Sequence, residues 1–344
     1  MALVRSRPEP VDPFVSVVVP TYNRRASLQR LLEALGRQTY PADRFEVVVV
    51  DDGSTDGTAE MVRRLTLPYA LRLLQPGHGG PSRARNLGVE AAGGTLVVFV
   101  DDDVVPVPAL IAEHVASHRE APEAVVIGPM SPPGDWPRPA WVRWHEEGLQ
   151  EQYQAMLAGK YPCSPRQFYT ANVSLPRARF LDAGGFDAAF KRNEDLELAY
   201  RLDAVGAAFV FNPRADVLHY AAHTLPGWRK ASYLYGRTDV EMSRDKGLPA
   251  FELALREFHL RHPLNRLAAR VCVGRGLLYR AAVLALSGTI LATDRLKLAR
   301  PASLAVSALF MLLYWQGAAD ELGGRDRLWQ RIMAQRTDPS LRPG

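Results

Sequence analysis

Four short apolar runs, each closing on a polar or acidic turn, alternate with segments of helical spacing in the first hundred residues, and this leaves few folds open. Val15-Ser16-Val17-Val18-Val19 stops at Pro20-Thr21-Tyr22-Asn23. The run from Phe45 to Val50 ends in Asp51-Asp52-Gly53-Ser54-Thr55-Asp56-Gly57. Leu71-Arg72-Leu73-Leu74 leads to Gly77-His78-Gly79-Gly80-Pro81, and Leu96-Val97-Val98-Phe99-Val100 ends in Asp101-Asp102-Asp103. Short runs dense in β-branched and aromatic residues predict buried strands. After the first run, Leu28, Leu31, Leu32 and Leu35 keep the period of a helix. A second helix is expected from Thr58 to Leu65, and a third bearing Arg83, Arg85 and Asn86. The alternation predicts an α/β fold with a mainly parallel sheet and helices on both faces. In open sheets of that kind ligands sit beyond the carboxyl ends of the strands. PTYN, DDGSTDG and DDD all fall at such ends.

Asp101, Asp102 and Asp103 repel one another and gain nothing from burial, so they make sense around a cation. In extended chain the side chains of Asp101 and Asp103 point the same way and can reach one hard metal ion and the phosphates it carries. Taken alone, the triplet is equally well explained as a solvated acidic loop.

Farther along, residues 129–169 read as irregular, with Trp136, Trp141 and Trp144 near prolines. A mobile flap, an aromatic substrate platform and structural packing of the rings all fit that pattern. Order returns over 168–175, then Gly184-Gly185-Phe186-Asp187 and a helix opened by Asn193-Glu194-Asp195. Asn193 suits an N-cap, and the two acids could simply complement the helix dipole.

Charge divides the chain. From Arg256 to the end there are 14 Lys+Arg against 6 Asp+Glu, while the whole chain carries +5, so residues 1–255 are mildly acidic. Two apolar stretches in this basic tail, 277–293 and 302–319, are near the lower length limit of a membrane span. Arg266, Arg270, Arg275, Arg295, Lys297 and Arg300 flank them and would suit an anionic membrane face. Helices packed on the core, a homodimer surface, interfacial association and a spanning hairpin all remain open. Nucleic-acid binding is disfavoured, because the cations alternate with long apolar runs. Two distant cysteines, Cys163 and Cys272, argue against a disulfide scaffold or a thiolate zinc site and fit a reducing cytoplasm. The stretch from Met1 to Pro8 lacks an apolar core, so no signal peptide is expected.

Val17-Val18-Val19-Pro20-Thr21-Tyr22-Asn23, Val50-Asp51-Asp52-Gly53-Ser54, Ala84-Arg85-Asn86-Leu87-Gly88, Phe99-Val100-Asp101-Asp102-Asp103, Gly184-Gly185-Phe186-Asp187 and Glu194-Asp195 occur in that order. Together, over roughly 14–222, they resemble the inverting family-two glycosyltransferases of the GT-A fold. The resemblance implies a GT-A domain over 1–225, and the composition of the remainder predicts a basic, apolar helical extension over 226–344. It implies a nucleotide-diphospho-sugar donor, a UDP-sugar foremost, held by Mn²⁺ or Mg²⁺, and transfer with inversion to a saccharide or lipid-linked acceptor. Asp101 and Asp103 match the DxD motif, with Asp103 the direct metal ligand and Asp101 and Asp102 on the nucleotide sugar. Asp52 matches the base-reading carboxylate, Pro20, Thr21 and Tyr22 the nucleoside pocket, and Arg85 a neighbour of the nucleotide. Asp195 matches the general base, with Glu194 as the alternative. His219 stands where some relatives place a further metal ligand, although a structural histidine at a strand end fits as well. Trp228-Arg229-Lys230 lacks the glutamine of the QxxRW motif, which counts against a processive synthase. The expected enzyme works at the cytoplasmic side, at the inner face of the membrane. A nucleotidyltransferase or a non-catalytic nucleotide-sugar scaffold is the alternative; the former would need a lysine-bearing glycine-rich loop near the first strand, which PTYNRR is not.

Overall fold

The computed structural model of the protein describes residues 12–190 and 192–336. The Met1–Pro8 stretch examined for a leader lies outside them. The described residues fold into two compact units: 12–132, 159–186 and 201–220 form the first, and 133–158, 187–190, 192–200 and 221–336 the second.

The first unit begins with β1 (Val15–Thr21), α1 (Arg25–Leu35), β2 (Phe45–Asp51), α2 (Thr58–Arg64), β3 (Ala70–Leu74), α3 (Pro81–Ala91) and β4 (Leu96–Val100), as the patterning predicts. β5 (Val104–Pro106), α4 (Leu110–Glu120), β6 (Val125–Ile127) and β7 (Met130–Ser131) follow. After α5 (Ala140–Leu157) of the second unit come β8 (Asn172–Pro176) and α6 (Arg177–Asp182). α7 (Glu194–Ala204), β9 (Phe209–Phe211) and β10 (Val217–His219) complete the α/β part of the sequence. Seven strands form one sheet in the order β3-β2-β1-β4-β8-β6-β9, and β5-β10-β7 form a second. β1, β2, β3 and β4 are mutually parallel where they pair, while β8 runs antiparallel to both β4 and β6. The expected mainly parallel sheet flanked by helices is therefore present, with one reversed strand in it. β1, β2 and β4 are buried throughout, which is why they read as continuous apolar runs rather than alternating ones.

β8 is tied to α4 by a polar network inside the core. Asn172 Nδ2 donates to the carbonyls of Pro129 and Ala215 at 2.8 and 2.7 Å, which turns its Oδ1 toward His114 Nε2, 3.0 Å away. His114 Nε2 must then carry its proton, leaving Nδ1 to accept from Ser174 Oγ at 2.8 Å. Ser174 in turn accepts from His118 Nε2 at 2.8 Å. The bond from Ser174 Oγ to His114 Nδ1 requires a neutral imidazole, and burial pushes both histidines down to about 4. Their folded values lie below the ordinary 6.5, so the stabilisation is fully present above pH 6.5 and is lost as the pH falls toward 4. Urea unfolding followed by far-UV circular dichroism should show a loss on the order of 3 kcal/mol for each histidine across that window. His118→Gln should flatten the slope; an unchanged slope would remove the histidines from the account.

The second unit is helical: α5, then α8 (Leu225–Lys246), α9 (Ala250–Leu260), α10 (Pro263–Cys272), α11 (Gly276–Arg295), α12 (Ala299–Glu321) and α13 (Arg325–Arg336). The tryptophan-rich segment read as irregular contains the 18-residue helix α5, and its rings are packed. Trp144 lies edge-on to Trp228 at 6.2 Å and against Phe310 at 5.3 Å, and Trp141 Nε1 donates to the His223 carbonyl at 2.7 Å. Of the three readings of those tryptophans, packing is the one realised. Pro137 and Pro139, two of the four positions before α5, obscured the helix, since prolines end helices far more often than they precede one so closely.

α12 is the centre of this unit, packing against α5, α8, α10, α11 and α13. It meets α8 backbone to backbone. A Cβ added at Gly236 would lie 1.9 Å from the Tyr314 carbonyl oxygen, and one at Gly317 would lie 2.0 Å from that of Tyr233. Gly317→Val is thus expected to push the helices apart and cost about 3 kcal/mol. All six tryptophans belong to the second unit, so tryptophan fluorescence reads that unit by itself. Its urea midpoint should drop clearly; an unshifted midpoint would show that the helices tolerate separation.

Candidate active site

The order of the large sheet reverses between β1 and β4, and the loops leaving those two strands carry Arg24 and the triplet Asp101, Asp102 and Asp103. Asp101, Asp102 and Asp103 occupy the turn from β4 into β5, closed by Val104 N bonding to the Asp101 carbonyl at 3.4 Å. The chain is turned there rather than extended, so Asp101 and Asp103 engage different partners. Arg85, buried on α3, donates from Nη2 to Asp101 Oδ1 at 2.7 Å. Thr21, the last residue of β1, donates from Oγ1 to Asp102 Oδ2 at 2.7 Å. Arg24 donates from Nη1 to Asp103 Oδ2 at 2.5 Å, with its Nε 3.7 Å from Asp102 Oδ1. His219, at the end of β10 beside Val104 of β5, brings Nε2 to 3.6 Å from Asp103 Oδ1.

Asp102 and Asp103 are electrostatically unequal. Burial pushes Asp102 up to about 7, outweighing Arg24 and Thr21, with Asp103 and Asp101 adding to the rise. Burial would raise Asp103 too, but His219 and Arg24 hold it well below the ordinary carboxylate range. Asp103 is the fixed anion of the triplet. Among the described residues no group of three or more His, Cys, Asp or Glu side chains is gathered as a complete metal-ligand set. The donors present are one fixed carboxylate, a second carboxylate in the same turn and an imidazole. That partial set suits a Mg²⁺-like ion, which is commonly held by one or two carboxylates while substrate phosphates and water supply the rest.

A second cluster lies where β2 ends. Asp52 is buried; Gly79 N donates to its Oδ1 at 2.7 Å and Gly80 N to its Oδ2 at 2.9 Å. Gly80 has φ +88°, a backbone region that a side chain makes costly, and this conformation aims the loop's amides at the carboxylate. His78 Nδ1 is 2.9 Å from Asp52 Oδ2, and its ring lies 5.0 Å from that of Tyr22, which is 48% exposed. Asp52 N in turn bonds to the Thr21 carbonyl at 2.9 Å, so the loops after β1 and β2 are pinned together. Pro20 is buried in β1 opposite Val50. The structure thus brings Thr21, Tyr22, Asp52, Arg85, Asp101, Asp102, Asp103 and His219 to one unit. Sequence reasoning passed over Arg24, His78 and the Gly79–Gly80 amides. Their signal was position: Arg24 directly follows PTYN, and His78-Gly79-Gly80 is a glycine-rich turn after a strand.

Glu194 and Asp195 belong to the second unit, where they open α7. Asn193 has φ +58° and spends its amide on Thr238 Oγ1 and Asp239 Oδ1 of α8, at 3.1 and 2.9 Å. Its side-chain nitrogen thus anchors the turn before α7 to α8, while its carbonyl accepts from Glu197 N at 2.9 Å as the helix begins. Burial pushes the Tyr235 hydroxyl up, Arg192 lowers it, and the charges of Asp195, Glu194 and Asp239 raise it further. Both candidate bases therefore border a half-buried tyrosine and a guanidinium within their own unit.

The family model described as "Glycosyl transferase family 2" matches residues 16–175. Validoxylamine A glucosyltransferase of Streptomyces hygroscopicus subsp. jinggangensis is 37% identical over 222 residues, covering 56% of this chain and 52% of that protein. Glycosyltransferase AglE of Haloferax volcanii is 42% identical over 96 residues, 27% of this chain and 32% of its own length. The chain spans about half the length, or less, of these curated relatives. Among solved structures, the mannosyltransferase PcManGT from Pyrobaculum calidifontis in complex with GDP-Man and Mn²⁺ is similar with a TM-score of 0.59 and 23% identity, covering 89% of this chain and 87% of that one. S. aureus TarS 1–349 in complex with UDP gives 0.54 and 21%, covering 90% and 91%. At those identities the two likenesses speak to the fold.

Proposed function

Because this chain belongs to glycosyl transferase family 2, whose pattern its residues 16–175 carry, we propose that it transfers a sugar from a nucleotide-diphospho-sugar to an acceptor hydroxyl with inversion at the anomeric carbon. The observation that carries this reading is the gathering of Asp101, Asp102 and Asp103 with Arg24, Arg85 and His219 where the sheet order reverses. A diphosphate with a divalent cation needs both signs of charge at one spot, and this turn supplies them.

Asp103, with Asp101 and His219, would hold Mn²⁺ or Mg²⁺. When bound, such an ion neutralises charge on the departing diphosphate. Arg24 and Arg85, now occupied by carboxylates, carry guanidinium forks suited to phosphate oxygens. Tyr22 offers an exposed ring for a nucleobase, and Asp52 an acceptor for a base N–H. Asp195 takes the proton from the acceptor hydroxyl, as general-base catalysis requires of a carboxylate within reach of the reacting group. A UDP-sugar is the donor we favour, and a saccharide or lipid-linked alcohol the acceptor. The two free cysteines are compatible with work in the cytoplasm.

Calorimetric titration of UDP, GDP and dTDP, each with Mn²⁺ and with EDTA, tests the donor half. Tight, metal-dependent binding of one nucleotide supports the reading and selects the sugars for transfer assays, in which NMR of the product reports the anomeric configuration. Failure of all three nucleotides to bind would sink it.

A further inference from the structure

α11 and α12 have similar apolar composition, yet the structure treats them differently. α12 is mostly buried within its unit, whereas α11 buries only the stripe Val283, Ser287 and Ile290. Its outward stripe, where a helix facing water would be charged, holds Leu277, Leu284 and Leu291, which are 85%, 70% and 52% exposed. The preceding helix repeats the pattern, with Leu264, Leu267 and Val271 of α10 all exposed. Scattered exposed leucines need no explanation, but apolar outer stripes on two consecutive helices do.

Charge indicates what covers them. Residues 261–300 hold eight Lys+Arg and a single acid, Asp294, which is already paired with Arg143 at 2.8 Å. Arg270, Arg275, Arg280, Arg295, Lys297 and Arg300 are all exposed. A two-fold dimer through this surface would set the same cationic patch against itself. An anionic lipid surface would accept both the leucines and the cations. Spanning is disfavoured by the packing: α12, the natural partner of a hairpin, is engaged on α8, whose Arg237 and Arg244 pair with Glu321.

We propose that the α10–α11 face is a membrane-docking surface, with the two helices lying in the plane of an anionic bilayer and their leucines dipping beneath the headgroups. The proposal stands independently of the transfer reaction. It is tested on the full chain by co-sedimentation with large unilamellar vesicles of equal phosphatidylglycerol and phosphatidylcholine, and of phosphatidylcholine alone, at 0.1 and 0.5 M NaCl. The expected result is binding to the anionic vesicles that weakens at least tenfold on the neutral ones or at high salt. Leu277→Glu/Leu284→Glu/Leu291→Glu should abolish it, and Arg295→Gln/Lys297→Gln/Arg300→Gln should weaken it several-fold. All six positions are exposed, so thermal midpoints of both variants should match the parent and exclude misfolding as the cause. Absence of binding to anionic vesicles, or a triple-glutamate variant that binds like the parent, overturns the proposal. A chain that light scattering shows to be dimeric, that ignores vesicles and that becomes monomeric with the glutamates would assign the face to a second copy instead.

Discussion

Asp103→Ala is expected to lower sugar transfer by about 10³-fold and to erase the Mn²⁺ dependence of nucleotide binding. Of the three acids in the turn, Asp103 is the one that His219 and Arg24 hold firmly ionised, although it is only 8% exposed. Removing it leaves Arg24 without its closest partner and takes the fixed negative charge from the point where a divalent ion would bind. Asp103→Asn separates charge from shape: it preserves the volume and a hydrogen-bonding oxygen, and should be nearly as damaging as alanine. Transfer rates at saturating donor, together with calorimetry of the nucleotide with Mn²⁺ and with EDTA, provide the check. Retained metal-dependent binding in the alanine variant would move the ligand role elsewhere in the turn.

Asp195→Asn should act on a different step. Transfer is expected to fall by roughly 10³-fold while donor affinity stays within about twofold, because a general base contributes to the reaction and not to holding the nucleotide. Glu194→Gln serves as the comparison at the neighbouring position and should cost far less. If Asp195→Asn turns over normally while Glu194→Gln is inactive, the base is Glu194. If both are active, the acids at the start of α7 serve only the helix dipole, an explanation their place in its first turn already allows.

The fold was legible early because its signals are local. β-branched runs, leucines at helical offsets and acidic turns between them located β1 to β4 and α2 within a residue or two and placed α1 and α3 between the right strands. The small sheet was not legible. β5, β7 and β10 are each two or three residues long and are strands only because chain segments far apart in sequence pair with them. α5 was hidden behind the prolines that precede it. The candidate site divides in the same way: its acids stood out as a motif, whereas Arg24, His78 and the Gly79–Gly80 amides matter through the atoms they meet.

The sequence by itself determined that β1 to β4 form, which residues lie at their carboxyl ends, and that carboxylates would gather there, since period and residue type act over a few neighbours. Only the tertiary structure decided which cation answers which acid: Arg85 to Asp101, Arg24 and His219 to Asp103. It alone also distinguished α12, a core helix, from α11, a surface helix of the same composition. Burial and pairing are properties of what packs alongside, and that is written in no single stretch of chain.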